Sequence, residues 1–276
     1  MAPSPATAAV IGFFEDDAPA WDAIYGRKDV FSVIHQLRRE MALDWFDGLH
    51  LEPASSVLEV GCGTGLTAIE IARRGHSVAA FDSTRNMVER ARANAEAAGV
   101  SGRISLGLAD AQRLGLGTAS FDAVVALGLI PWLVDPEAGI AELARVLKPG
   151  GHLIVNCDNR WRLNVLLDPK YSPALAGPRR LLRRRREPQA APGGEVPGTV
   201  RHSPGEFSLA LRSHGLETVR GATFGFGPFA ILGHEVLGDR TGVRLHRVLQ
   251  RLSDAGTPGL RWTGSQYLVA GRKLGG

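Results

Sequence analysis

Residues 57–74 of this 276-residue chain constrain its fold more than any other stretch. Val57-Leu58-Glu59-Val60 sets three apolar residues around one acid, the pattern of a buried parallel strand, and Gly61-Cys62-Gly63-Thr64-Gly65 follows at once. The glycine run lets the backbone turn sharply and lets a ligand approach the main chain closely. Leu66 to Arg74 then has helical periodicity, so a helix N-terminus points at whatever the loop cradles. A strand, a glycine loop and a helix in this order belong to an open α/β sheet, whose ligands sit beyond the carboxyl ends of the strands.

The glycine spacing narrows the ligand. A dinucleotide fingerprint runs Gly-x-Gly-x-x-Gly, whereas here the order is Gly61-x-Gly63-x-Gly65 and Leu66 stands in the place of the third glycine. Glu59 would sit well against an ammonium group and badly against a pyrophosphate. Ser77 to Phe81 reads as the second strand and ends at Asp82, a carboxylate placed to accept both ribose hydroxyls of an adenosine ligand. Dinucleotide enzymes place an acid there too, so Asp82 speaks for adenosine without choosing the cofactor. Thr84 to Ala98 is an amphipathic helix with Met87, Val88, Ala91 and Ala95 inward and Gly99 at its stop. Arg103 to Leu108 reads as a third strand leading to Asp110, which could accept an adenine amino group. Phe121 to Leu127 is a fourth strand and Pro136 to Leu147 a helix capped by Asp135. Lys148 to Gly151 reads as a turn, and His152 to Cys157 as a fifth strand.

In this order, Glu59-x-Gly61-x-Gly63-x-Gly65, Asp82 with Met87, Asp110, Phe121-Asp122 and Leu143-x-x-Val146-Leu147-Lys148-Pro149-Gly150-Gly151 resemble the motifs of class I S-adenosylmethionine (SAM) methyltransferases, over roughly residues 50 to 157. The resemblance implies an α/β, Rossmann-like, seven-stranded doubly wound sheet in the order 3-2-1-4-5 at its start. It implies an N-terminal tail and helical cap over residues 1–50 and a SAM-binding half over 51–157. A substrate-side half over 158–276 would carry lid insertions at about 158–202 and 225–262. SAM is then the cofactor and S-adenosylhomocysteine the product. The same resemblance assigns cofactor contacts to Glu59, Gly61, Cys62, Gly63, Gly65, Asp82, Ser83, Met87, Asp110, Ala111 and Leu127. Gly128-Leu129-Ile130-Pro131-Trp132 stands after the fourth strand where base N-methylation would call for an Asn-Pro-Pro-Tyr type signature. A small-molecule acceptor, O- or C-methylation and a biosynthetic setting are therefore expected, with no nucleic acid. Two rival readings remain. A NAD(P)-dependent oxidoreductase is opposed by the glycine spacing, Glu59 and the 148–151 turn. A SAM-binding module without turnover, acting through a protein or membrane partner, is not opposed by these motifs.

Methyl transfer needs a base only when the nucleophile carries a tightly held proton. Asp158, after the fifth strand, and His202 and His214, flanking a helix from Ser203 or Pro204, are candidates, each with a plain surface or capping role as the alternative. Tyr25 pairs with Trp21 one helical turn apart. By the resemblance Tyr25 faces the methyl group or the SAM carboxylate; otherwise both aromatics staple the segment to the core. Val33 to Phe46 is a helix with Ile34, Leu37, Met41 and Trp45 on one face. Further on, Leu216 to Phe224 reads as a strand, Val243 to Leu252 as a helix, and Ser265 to Ala270 as a final edge strand. Phe224, Phe226, Phe229, Trp161 and Trp132 could wall an apolar pocket or simply pack under loops. No residue pattern matches a metal-dependent ligand set, so no metal is expected.

Charge and cysteine usage bound the partners and the compartment. The pI of about 9.4 invites a nucleic-acid reading, but Arg179, Arg180, Arg183, Arg184, Arg185 and Arg186 fall in one run. Removing those six takes the formal net charge from +4 to −2, so the folded body is near neutral. Bracketed by Pro178 and Pro188, the run reads as a solvated loop or as a dock for anionic lipid or an acidic partner. Cys62 and Cys157 fall roughly two strand spacings, ~9.6 Å, apart, too far for a disulfide. With no basic leader before Glu15-Asp16-Asp17 and no apolar run near the ~20 residues of a membrane span, a cytoplasmic protein is expected. The first ten residues, rich in Ala, Pro and Ser, are expected to be disordered.

Overall fold

The computed structural model describes residues 5–170, 172, 199–232 and 234–275. The arginine run from Arg179 to Arg186, and with it most of the first insertion, lies outside the described residues. Helix α1 (Pro5–Ala23) occupies the stretch expected to be disordered. Alanine favours helix, and a proline at the first position forfeits no hydrogen bond. A distant element also fixes it: the Glu15 carboxylate accepts the backbone N–H groups of Arg85 and Asn86, at 2.9 and 3.1 Å, at the start of α4 (Arg85–Ala97). Helix α2 (Val30–Asp47) begins three residues earlier than the apolar pattern indicates, because Asp29 caps it by accepting the Ser32 N–H at 2.9 Å.

Five parallel strands follow in the doubly wound order: β1 (Ser56–Val60), β2 (Ser77–Asp82), β3 (Ile104–Leu108), β4 (Phe121–Ala126) and β5 (Leu147–Asn159). Helices α3 (Leu66–Arg73), α4 and α5 (Pro136–Val146) connect them. The substrate-side half adds α6 (Leu163–Leu167), a two-residue strand β6 (Arg201–His202) beside the end of β5, α7 (Pro204–Ser213) and β7 (Leu216–Phe224). A hairpin of β8 (Ala230–Ile231) and β9 (His234–Glu235), helix α8 (Asp239–Asp254) and β10 (Gln266–Lys273) complete it. The sheet path is β3-β2-β1-β4-β5-β10-β7, with β10 antiparallel to both neighbours.

Two expectations are corrected. Strand β10 is interior, and β7 forms the edge. Its alternation is real but both faces are covered: Val269 packs with Phe207 and Leu211 of α7, while Leu268 and Ala270 pack on the side of α2. The edge strand β7 instead exposes Glu217 and Arg220, charges that discourage further pairing. Residues 148–151 form part of β5 and make no free turn. Phe121 stands opposite Leu147 and Ala123 opposite His152, so the residues between bulge out of register, with Gly150 at φ +76°.

The core lies on both sides of the sheet. Leu58, Val124 and Val155 face Ile140, Leu143 and Phe207 of α5 and α7; Val57, Val125 and Ile154 face α2 and α3. Among the described residues no helix is long and apolar enough to cross a membrane. Cys62 and Cys157 are both buried and unbonded.

Candidate cofactor and acceptor site

A cavity of about 470 Å³ opens at the carboxyl ends of β1, β2, β4 and β5. Every residue assigned to the cofactor by the sequence pattern lines it, except Gly65. Gly65 sits one layer behind as the residue preceding α3, at φ +79°, and a Cβ there would press to 2.9 Å from that of Ala91 in α4. Gly63, at φ +51°, meets nothing within 4 Å of a built Cβ, so a side chain there would enter the open space a ligand needs. The Gly63 N–H donates to the Asp82 carboxylate at 2.9 Å, and its other oxygen accepts the Thr84 N–H at 3.0 Å. Asp82 thus shapes the loop while facing the cavity; burial pushes its carboxyl up, and these donors oppose that. Asp110 borders the cavity with one oxygen accepting the Gln112 N–H at 2.9 Å.

Glu59 is 3% exposed. The Ala68 N–H and the Thr67 hydroxyl favour its ionised form from the helix side, yet burial dominates and holds the carboxyl at about 8. Its Oε2 has no hydrogen-bond partner. An unsatisfied acidic oxygen at the root of the glycine loop fits the ammonium group of an amino-acid ligand and would repel a pyrophosphate.

Arg38 of α2 escapes the motif reading. It is 8% exposed, lines the cavity, leaves Nε without a partner and forms no ion pair among the described residues. Its guanidinium lies against Gly128 so closely that a Cβ there would come within 2.7 Å of Nη1. The signal was present: Ile34, Arg38, Met41 and Trp45 share one helical face, so an arginine interrupts an apolar stripe. His35 beside it donates from Nδ1 to the Phe31 carbonyl at 2.8 Å; burial, with Arg38 adding to it, depresses its imidazole to about 3 and keeps it neutral.

The catalytic candidates separate. Asp158 lines the cavity, its carboxyl pushed up by burial against the opposing pull of Arg162, Arg38 and Arg201. Tyr25 lines it too, with one ring face covered by the Arg39 guanidinium at 4.4 Å. His202 packs on Phe207 at 5.6 Å, outside the cavity, and His214 Nε2 meets Glu137 at 2.9 Å on the outer side of α5 and α7. The expected aromatic wall is likewise redrawn. Phe224 and Phe226 are buried core, Trp161 is 44% exposed, and of the five named aromatics only Trp132 lines the cavity. The apolar wall comes instead from α1 and α2, with Phe14, Trp21 and Phe31; Phe14 meets Trp132 edge-on at 4.9 Å. Of these, the sequence singles out Trp21 only as the partner of Tyr25, and Phe14 and Phe31 carry no local signal that sets them at the cavity. Gly227 and Pro228 are what the second insertion contributes, and Arg162 and Asn164 the described part of the first.

Among the described residues no group of three or more His, Cys, Asp or Glu side chains is placed to hold a metal ion. A family model described as "Methyltransferase domain" matches residues 58–155. An O-methyltransferase of Pyrenophora dematioidea is 36% identical over 124 residues, 45% of this chain, but the match spans only 46% of that relative's length. A ubiquinone biosynthesis O-methyltransferase of Hahella chejuensis is 30% identical over 246 residues, covering 88% of this chain and 94% of the relative. The solved magnesium protoporphyrin IX methyltransferase of Synechocystis with bound S-adenosylhomocysteine shares the fold, with TM-score 0.64 at 18% identity over 97% of this chain and 99% of that one.

Proposed function

We propose that this chain, which belongs to the class I SAM-dependent methyltransferases, transfers a methyl group from SAM to oxygen or carbon of a small, largely apolar acceptor in a biosynthetic pathway. The observation that carries this reading is the pair of buried groups with unsatisfied polar atoms in one cavity, Glu59 Oε2 and Arg38 Nε. A zwitterionic amino-acid tail satisfies both at once, its ammonium on Glu59 and its carboxylate on Arg38. Asp82 takes the ribose hydroxyls and Asp110 the adenine edge, with Ser83, Met87, Ala111 and Leu127 lining the adenosine side. When bound, SAM supplies an electrophilic methyl carbon whose bond pair leaves with sulfur, so the acceptor must give up a proton.

The chain's own contribution is to position and to dry the reacting pair. Helix α1 covers the cavity with Ile11, Phe14 and Trp21. Asp158, whose carboxyl is raised by burial, would take the acceptor's proton. The relatives, an O-methyltransferase and a ubiquinone biosynthesis O-methyltransferase, support a small-molecule acceptor. Calorimetry with SAM and with NAD tests the reading. SAM is expected to bind and NAD to give no heat, and tight NAD binding or silent SAM would overturn it.

A further inference from the structure

Two side chains that line the cavity, the half-buried Asp158 and the buried Gln266, have hydrogen-bonding capacity that the described residues do not use. Strands β5 and β10 set Asp158 and Gln266 directly opposite each other, and both line the cavity. Such cross-strand partners point to the same face with Cβ atoms about 5 Å apart.

Gln266 is 7% exposed, and its orientation is dictated from outside the cavity. The Gly128 N–H can only donate, and it donates to Asn156 Oδ1 at 2.7 Å. Asn156 must therefore present its amide nitrogen, Nδ2, to Gln266, whose Oε1 accepts it at 3.1 Å. Gln266 Nε2 is left with two N–H groups and no partner among the described residues. Asp158 is in the complementary position: its carboxylate accepts no hydrogen bond among the described residues, and the nearest cation, Arg162 Nη1, stands at 4.0 Å. One group lacks an acceptor and its neighbour lacks a donor.

We propose that Asp158 and Gln266 read the acceptor as a hydroxyl flanked by a second oxygen, and so commit this enzyme to O-methylation. The proposal rests on the reading above that the cavity holds SAM beside an acceptor. The hydroxyl donates to Asp158, and the neighbouring ether or carbonyl oxygen accepts from Gln266 Nε2. As the hydroxyl oxygen bonds to the methyl carbon, the carbon–sulfur pair stays on sulfur and the hydroxyl proton passes to Asp158. A cationic amine would satisfy Asp158 alone. It would set N–H against N–H at Gln266, and it would sit in the positive field of Arg38, Arg162 and Arg201, the three cations that act on Asp158.

Three isosteric probes separate the two contacts: 2-methoxyphenol with both oxygens, 2-ethylphenol with the hydroxyl alone, and 2-methylanisole with the ether alone. Their affinities are measured on the S-adenosylhomocysteine complex, after the affinity of each variant for S-adenosylhomocysteine itself. The parent is expected to bind 2-methoxyphenol at least tenfold tighter than either partial probe. Gln266→Met should erase its advantage over 2-ethylphenol while keeping that over 2-methylanisole, and Asp158→Ala should do the reverse. Gln266→Leu, which likewise lacks a donor, carries the same expectation as Gln266→Met should the latter fold poorly. A purely structural role would weaken all three probes alike, and that outcome overturns the proposal. So does a parent that binds S-adenosylhomocysteine but does not prefer 2-methoxyphenol. A parent that fails to bind S-adenosylhomocysteine overturns the cofactor reading along with it.

Discussion

Replacing Glu59 by glutamine should stabilise the ligand-free protein while crippling cofactor binding. The carboxyl stands at about 8 in the fold against an ordinary 4.5, raised mainly by burial. Between those values the folded state holds a proton that the unfolded state has released. The stabilisation is complete below pH 4.5 and is lost as pH rises through 8. Holding that proton therefore costs the ligand-free fold about 3 kcal/mol of this stabilisation by pH 7, and the loss reaches about 5 kcal/mol by pH 9. Glutamine mimics the protonated acid and cannot ionise. Asp82, which raises the Glu59 value, and Arg39, which lowers it, stay in place, so their own effects cancel in the comparison. Thermal melts from pH 5 to pH 9 should start together and diverge, with Glu59→Gln melting about 5 °C higher at pH 7 for a chain of this length. Saturating S-adenosylhomocysteine should restore the parent, because the ligand ammonium pairs with the ionised acid, and should raise the variant little. Parallel melting curves for the two proteins across that range would show that Glu59 carries no such strain, and would refute its place opposite an ammonium.

Three further outcomes are expected, two at the same site and one outside it. Asp82→Ala should weaken S-adenosylhomocysteine binding by about 1.5–3 kcal/mol, the worth of charged hydrogen bonds to the ribose, as read by calorimetry. Arg38→Met should cost a similar amount of SAM affinity yet leave the ligand-free melting temperature unchanged or higher, since it removes a buried cation without an ion pair; a large drop in that temperature would assign Arg38 to the fold instead. Exchanging the six arginines between Arg179 and Arg186 for glutamine should leave SAM affinity unchanged, and calorimetry on that variant checks it.

The sequence alone determined the cofactor half because its determinants are local. A strand, a glycine loop and a helix are specified by neighbours in the chain. Gly61, Gly63 and Gly65 all adopt positive φ, as their spacing implied. The ends of β1, β2 and α5 likewise follow from nearby apolar residues and from the Asp135 cap, whose carboxylate accepts the Ala138 N–H at 3.1 Å. Tertiary structure decided what local patterns do not encode. An alternating segment such as residues 266–270 looks the same at an edge or in the interior; only the pairing of β7 along its far edge makes it interior, and only the packing of α7 and α2 covers its two faces. The Ala-rich residues before position 11 look like a tail until Glu15 of the same helix meets the start of α4, seventy residues away. Arg38 lines the cavity only because α2 folds back over the sheet, and Gln266 only because a strand 110 residues beyond Asn156 pairs with β5. Hydrogen-bonding capacity left unused in a buried cavity is a property of assembled surfaces, and no single stretch of chain contains it.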